Sequence, residues 1–427
     1  MKHRLCGLLI IVLMFSVVTG VFAGGRQEVA DDGVTISFWH IDTAQEAQPY
    51  WQELADDYMA QNPGVNIEIT VLENEAFKSR LTAMMQAGDP PNIYRSWGGG
   101  VMVEHAEAGL VKDITEEVHG TAFGNTIPEG ALGVYAYQGR QYGVPYDMGA
   151  VTFWYNKNIL AEAGWEDFPE TWSDMLQMVR DVRNAGYIPM ALAGADKWPA
   201  HFYWTYLAMR MGGKTAIDGV LEGSGSFTDR PFVQAGELLL ELRDAGAFQT
   251  GFLGATQADQ AALVGNAEAA MELMGQWAPY VQADASLDGG IGDALAVAPF
   301  PLVEGGLGAG TDVLGGGNGF EIGRGAPLEA IDFMKFMINR ENNTTLARTG
   351  RAIPTVIGAE VGIEDPLTRQ VADVVARAQY FQLYLDQFFP PAVGGVINDA
   401  VQALLAGRMS PANVAQVIQD AWLDYQN

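Results

Sequence analysis

Cysteine is almost absent from this chain. The single one, Cys6, sits at the front of an apolar stretch close to the first residue. Beyond the first 23 residues there is therefore no material for a disulfide, a thiol nucleophile or a thiolate metal site. Positive charge is scarce too. Lys and Arg number 24 against 52 Asp and Glu, for a formal net charge of −28. So acidic a surface disfavours nucleic acid and anionic membranes, and it suits a soluble protein with a neutral or cationic ligand. Catalytic signatures are missing as well. There is no His-Glu-x-x-His, and Gly305 to Gly310 does not match a dinucleotide fingerprint. No P-loop lysine follows a glycine loop, and Gly223-Ser224-Gly225-Ser226 lacks the strand a nucleophile elbow needs. With this many acids, carboxylate pairs arise by chance and carry no weight. No enzyme activity, cofactor or metal is expected.

The first residues carry an export pattern. Lys2, His3 and Arg4 precede the apolar stretch Leu5 to Val18, which is short for a bilayer span, and Val21-Phe22-Ala23 is a small-residue exit. Residues 1–23 are expected to be a signal peptide and 24–33 a flexible leader. Lipid anchoring would require cysteine at the cleavage point, where Gly24 stands, so none is expected. The remaining chain, about 400 residues, exceeds what a single core usually supports, and this predicts two lobes.

The segment from Val34 to Arg95 predicts a β-α-β-α-β opening. β-rich runs at Val34 to Trp39 and Val65 to Val71 alternate with helical patterns at Gln45 to Gln61 and Glu75 to Ala87, and a third run begins at Asn92. That order implies an open α/β sheet with ligand held beyond the strand ends. Further on, a hairpin is expected at Gln138-Gly139, a bend at Pro145 to Gly149 and a strand at Val151 to Tyr155. Helices are expected from Thr171 to Asn184, Trp198 to Met211, Pro231 to Ala245, Thr256 to Asn266 and Leu328 to Ile338. Strands are expected at Ala269 to Met274 and Leu295 to Phe300. Gly316, Gly317 and Asn318 read as a close-approach loop, and the tail as three helical runs, about 366–386, 394–406 and 411–425. Crossings at Asp147, near Pro299 and near Ala352 divide the chain into two discontinuous lobes, 34–147 plus 302–351 and 148–301 plus 352–427.

Several stretches carry a resemblance. They are FWHID with ADDYMAQNPGVNIEI, AGDPPNIYRSWGGG, YGVPYDMGAVTFWYNKNILAEAG with FPETWSDM, NAEAAMELMGQWAPYV with APFPLVEGG and GGGNGFEI, AIDFMKFM with TGRAIPT, and the closing GVINDAVQALLAGRMSPANVAQVIQDAW. In this order and spacing they resemble the extracellular solute-binding proteins of bacterial ABC importers, in the carbohydrate-binding group related to maltose-binding protein. The resemblance spans about 34–427. It implies a type II periplasmic-binding-protein fold, in which two discontinuous α/β domains are joined by a hinge and hold a sugar between them. It also implies a periplasmic or otherwise extracytoplasmic location, permease subunits backed by a cytoplasmic ATPase as partners, and sugar transport as the role. A monomer is expected.

Sugars are bound by aromatic faces stacked on the ring, with carboxylates, amides and guanidinium groups taking up the hydroxyls. Trp97, after a strand and before three glycines, is expected to contact ligand. Trp277 matches the position where the resembled family often supplies a stacking aromatic. Asp147 can accept two hydroxyl hydrogen bonds, or cap a turn. Trp39 and His40 end the first strand, Glu73 follows the second, and Trp198 and His201 open an aromatic helix. Asn318 is placed for close approach, Arg351 for ligand or hinge, and Phe389 for an aromatic platform. A neutral mono- or oligosaccharide is favoured, while Arg95 keeps a phosphorylated polyol open. A secreted carbohydrate-active hydrolase and a sensory sugar-binding protein are the alternatives.

Overall fold

The computed structural model describes residues 33–44 and 47–427. The expected signal peptide, and the leader up to residue 32, lie outside the described residues. The strands are, in chain order, β1 (Val34–His40), β2 (Val65–Val71), β3 (Ile93–Ser96), β4 (Ala136–Tyr137), β5 (Arg140–Gln141), β6 (Gly143–Ala150), β7 (Thr152–Asn156), β8 (Ile188–Met190), β9 (Ala269–Met274), β10 (Leu295–Ala298), β11 (Asp312–Ile322) and β12 (Tyr380–Leu383).

The predicted β-α-β-α-β opening is present. β1 pairs in parallel with β2 and with β3. The helix Gln48–Gln61 between β1 and β2 buries Trp51, Leu54, Ala55 and Tyr58, the spacing of one helical face. The helix Asn74–Ala87 is capped at its start by the Glu73 carboxylate and ends on left-handed Gly88. The first sheet runs β12-β11-β3-β1-β2, with β6 also paired to β11. Its core gathers Phe38, Trp51, Phe320 and Phe333, whose rings meet edge to face. The second sheet runs β10-β7-β9-β8 and packs on a separate, larger core around Trp154, Trp204, Tyr206 and Phe300. Mixed α/β layering, with the two largest cores on different sheets and a further cluster around Trp39, Phe77 and Tyr94 on the first, is the predicted two-lobed α/β fold.

Three local expectations are corrected. Pro145 to Gly149 is not a bend but the middle of strand β6. Gly316, Gly317 and Asn318 are not a loop but the middle of β11, an 11-residue strand buried throughout. The glycines there answer crowding: a Cβ on Gly316 would stand 2.2 Å from the Tyr384 ring. Glycine normally weakens a strand, and here it is the residue that lets neighbouring chain approach closely. The run 366–386 is not one helix. It is the helix Pro366–Arg377, then β12, then the short helix Leu385–Phe388. β12 pairs in parallel with Asp312 to Gly315 of β11, a partner no local pattern announces.

The chain passes from one sheet to the other through a single residue. β6 ends at Ala150 and β7 begins at Thr152. Between them, Val151 donates its N–H to Leu314 at 2.8 Å and accepts the Tyr206 hydroxyl at 2.5 Å. The return from β10 to β11 is clamped by Arg210, a buried guanidinium on the helix Trp198–Gly212. It donates to the carbonyls of Phe300 (2.9 Å), Pro301 (3.1 Å), Ala309 (2.8 Å) and Asp312 (3.0 Å). A third link lies at Ile353 to Thr355, where Met148 donates to Ile353 at 3.0 Å and Thr355 donates to Tyr146 at 3.3 Å.

Replacing Arg210 by Met strands those four carbonyls in a low-dielectric interior. Arg210→Met is expected to lower stability by about 3–5 kcal/mol. Urea unfolding of parent and variant measures this, and a loss under about 1 kcal/mol would mean that water takes over the clamp.

Candidate functional site

The C-terminal ends of the three parallel strands open onto a cleft between the two sheets. A cavity of about 440 Å³ lies there. Its first wall is built by Asp42 beyond β1, Glu73, Glu75 and Lys78 beyond β2, Arg95 and Trp97 at β3, and Asn318 of β11. The opposite wall comes from Asp196, Trp198 and Phe202, from Trp277 and Tyr280, and from Tyr384 and Asp386. A smaller cavity of about 20 Å³ adjoins it and shares Asp42, Arg95, Trp277, Tyr280 and Asn318, adding Tyr146, Asp147 and Arg351.

Aromatic faces dominate the far wall. The Trp277 ring folds back over Gly275, where a Cβ would stand 2.1 Å away, and its centroid lies 6.3 Å from Trp198 and 6.2 Å from Tyr384. The near wall is polar. Arg95 donates to Asp42 at 3.1 Å, and Trp51 donates its indole N–H to the other Asp42 oxygen at 2.5 Å. Burial works against ionisation of Asp42, but Arg95, His40 and the Trp51 hydrogen bond hold its carboxyl below the ordinary range. Burial also opposes the charge on Arg95, yet Tyr146, Asp42 and Asp147 raise its pKa. Both groups are thus charged, and each holds the other in place.

Asp147 sits at the base of the cleft. One of its oxygens accepts the Asn318 backbone N–H at 2.9 Å and the Asn318 side-chain amide at 2.7 Å. The other accepts Gln276 at 3.2 Å and the Asn318 amide at 2.9 Å. Gln276 follows β9 in the second sheet, while Asp147 and Asn318 lie in the first, so one carboxylate joins both. Burial lifts the Asp147 carboxyl to about 6, against the opposing pull of Arg95 and the donors from Asn318 and Gln276.

Of the residues singled out in the sequence, Glu73, Trp97, Trp198, Trp277 and Asn318 line the larger cavity. Asp147 and Arg351 line the smaller one, and the Arg351 guanidinium stands 5.6 Å from the centre of the Tyr280 ring. Glu73 also accepts the Glu75 and Ala76 N–H groups as helix cap, so part of its hydrogen-bonding capacity is spent. The other four stand behind the walls, lining neither cavity. Trp39 is buried beneath the Arg80 guanidinium. His40 is buried between Phe38 and Trp51, and its Nδ1 accepts the Asp42 N–H at 3.2 Å. Burial lowers its pKa to about 4, which keeps the ring neutral. His201 is fully buried 3.8 Å from the Asp386 carboxylate. Phe389 packs in the second core against Phe227 and Trp422.

Sequence reasoning did not single out Asp42, Lys78, Asp196, Tyr280, Tyr384 or Asp386. Asp42 was within reach, because it lies two residues past the end of a parallel strand, where open sheets hold ligand. Tyr384 and Asp386 were not, because their segment reads as helix.

The Asp147 carboxyl gives a pH test. Its native value of about 6 lies above its ordinary 3.8, so the fold tolerates the ionised form less well than the unfolded chain does. Its contribution to stability is therefore fully present below about pH 4 and is lost as pH rises through about 6. Asp147→Asn removes that titration. Between pH 4 and pH 7 the stability difference is expected to move in favour of the variant by about 2–3 kcal/mol. Urea unfolding at both pH values reads it, and a difference independent of pH would contradict it.

Among the described residues, no helix is long and apolar enough to cross a membrane. Residues 42–344 match the family model described as bacterial extracellular solute-binding protein. The chain is 24% identical over 288 residues to an uncharacterized ABC transporter extracellular-binding protein of Pyrococcus horikoshii, covering 65% of each. It is 23% identical over 287 residues to the multiple sugar-binding protein of Streptococcus mutans, again covering 65% of each. The chain thus matches about two thirds of the length of these curated relatives. A solved structure from work on xylan utilization by Caldanaerobius polysaccharolyticus superposes with a TM-score of 0.85 at 25% identity, covering 91% of this chain and 99% of that one. The α/β fold, the cleft at the strand ends and a family match across most of the chain agree: this chain belongs to the bacterial extracellular solute-binding proteins.

Proposed function

We propose that this chain is the extracytoplasmic substrate-binding protein of an ABC importer, and that it captures a neutral sugar or oligosaccharide in the cleft. The observation that carries this reading is the cavity itself. Its volume of about 440 Å³ lies within the usual range for ligand pockets, and its walls pair indole and phenol faces with pre-charged carboxylates and a guanidinium. Six carboxylates line it, Asp42, Glu73, Glu75, Asp196, Asp284 and Asp386, against the cations Lys78 and Arg95. That balance argues against an anionic cargo such as a sugar phosphate. The similarity to a multiple sugar-binding protein and to a structure from a study of xylan utilization points the same way.

Binding is the whole of the chemistry in this reading. Trp277, Trp198 and Trp97 stack on sugar rings, while Asp42, Arg95 and Asn318 exchange hydrogen bonds with hydroxyls. Ligand touching both walls stabilises the closed arrangement about a hinge near Asp147, Pro301 and Arg351, the approximate lobe boundaries. Moving such an equilibrium from 1:99 to 99:1 takes about 5.5 kcal/mol of differential contact, within reach of two stacked rings and a few charge-assisted bonds. The closed form is then handed, as a monomer, to permease subunits driven by a cytoplasmic ATPase.

The mature protein is expected to give a saturable change in tryptophan fluorescence with one or a few neutral saccharides, which are recovered intact. Cleavage of the saccharide would replace the binding reading by a hydrolase. Silence across mono- and oligosaccharides would remove sugars as the cargo. Trp277→Ala is expected to weaken binding about 10- to 100-fold, equivalent to roughly 1.4–2.7 kcal/mol, with the melting temperature of the ligand-free protein little changed. Isothermal titration calorimetry checks it.

A further inference from the structure

Lys78 projects from the helix Asn74–Ala87 into the cleft. Its ammonium stands 5.6 Å from the centre of the Trp97 ring and 5.8 Å from that of Trp198. Trp97 follows β3 of the first sheet, whereas Trp198 opens the helix packed in the second core. A single cation is therefore shared by tryptophans on opposite walls of the same cavity. Glu75 accepts from that ammonium at 3.0 Å. On the far wall, the Asp196 carboxyl feels Lys78 together with Glu75 and Glu73. The Trp198 indole N–H is buried and has no hydrogen-bond partner among the described residues.

Two indole rings bordering one space make a receptor for the flat face of a sugar ring or for a cation. The chain's own ammonium borders that space, within cation–π reach of both rings. That placement is reversible by construction. A lysine stem has four rotatable carbons, and the Lys78 side chain is about 30% exposed. The Asp196 carboxylate, whose charge already feels Lys78, offers the displaced ammonium an alternative partner.

We propose that Lys78 is a built-in competitor for the cleft: its ammonium occupies the subsite between Trp97 and Trp198 in the absence of ligand and must swing away before a sugar ring stacks there. The apparent affinity of the subsite is then lower than its intrinsic affinity, by the fraction of molecules in which Lys78 has moved aside. This sets the working range of the protein without altering any group that touches the sugar. The proposal rests on the sugar-binding reading for its ligand, but the occupancy by Lys78 is a property of the ligand-free protein and is tested separately.

The experiment uses the mature protein with Lys78→Ala, which removes both bulk and charge, and Lys78→Met, which keeps the bulk. Against the saccharide that the parent binds best, Lys78→Ala is expected to tighten binding about fivefold to tenfold and Lys78→Met by less. Weaker binding in both variants, with melting temperatures retained, would make Lys78 a ligand contact and overturn the proposal. In parallel, the indole N–H resonances of Trp97 and Trp198 are identified in ¹⁵N spectra through Trp97→Phe and Trp198→Phe. In ligand-free Lys78→Ala both resonances are expected to shift. If neither shifts, the ammonium is not between the rings, and the proposal falls even where sugar binds normally. If the parent binds no saccharide, the sugar reading fails on its own, and the two resonances alone decide whether Lys78 holds the subsite.

Discussion

The Asp147 carboxylate is the point on which the two halves of the molecule depend. It accepts the backbone and side chain of Asn318 from β11 and the side chain of Gln276 from the loop after β9. Those three residues belong to two sheets with separate cores. Few groups could hold such a junction. A carboxylate offers about four acceptor sites on one short stem, and it can satisfy amide donors arriving from several directions. The cost is desolvation, which appears as the raised pKa. The neighbouring Gly149 is part of the same device, since a Cβ there would stand 1.8 Å from the Gln276 amide oxygen. The tie also borders the smaller cavity, so the junction between the sheets and the wall of that cavity share the same atoms.

Around this junction the cleft is prepared in two different ways. On the first-sheet side, the strand ends deliver charges that are already paired and positioned, Asp42 with Arg95 and Trp51. In the proposed binding role little reorganisation is left for the moment of binding, which lowers its cost. On the other side the wall is aromatic, and it is assembled from three distant stretches of chain around Trp198, Trp277 and Tyr384. Rigid rings give large contact area with few rotamers to freeze. His40 and His201, which look like ligand contacts in the sequence, serve behind these walls. His40 orients Asp42 through the Asp42 N–H, and His201 packs beside Asp386.

Much of the architecture was legible in the sequence because it is local. Periodicity in Val34 to Ala87 announced the opening β-α-β-α, and Thr256 and Thr171 marked helix starts that the structure shows as side-chain caps. Trp97 was singled out by its place after a strand and Trp277 through the family resemblance, and both line the larger cavity. The glycine-rich stretch misled for a physical reason. Glycine usually signals freedom, yet between Gly315 and Gly319 it signals crowding by Tyr384, Met148 and Tyr135, all distant in sequence. β12 was hidden because four residues that pair only with β11 carry no pattern of their own.

The sequence by itself determined the class of molecule: an acidic chain almost free of cysteine, with alternating strands and helices, two cores, and tryptophans at the ends of strands. Each of these follows from length, from composition or from periodicity within a dozen residues, and such properties survive any arrangement of the elements. Only the tertiary structure decided which side chains share the cleft. It sent His40, His201, Trp39 and Phe389 behind the walls and brought Asp42, Lys78, Tyr280 and Tyr384 into the cavity. It also set the Lys78 ammonium 5.6 Å and 5.8 Å from the ring centres of Trp97 and Trp198. Those outcomes depend on how the two sheets meet, and the contacts across that boundary join residues far apart in sequence, such as Gln276 donating to Asp147, 129 positions away.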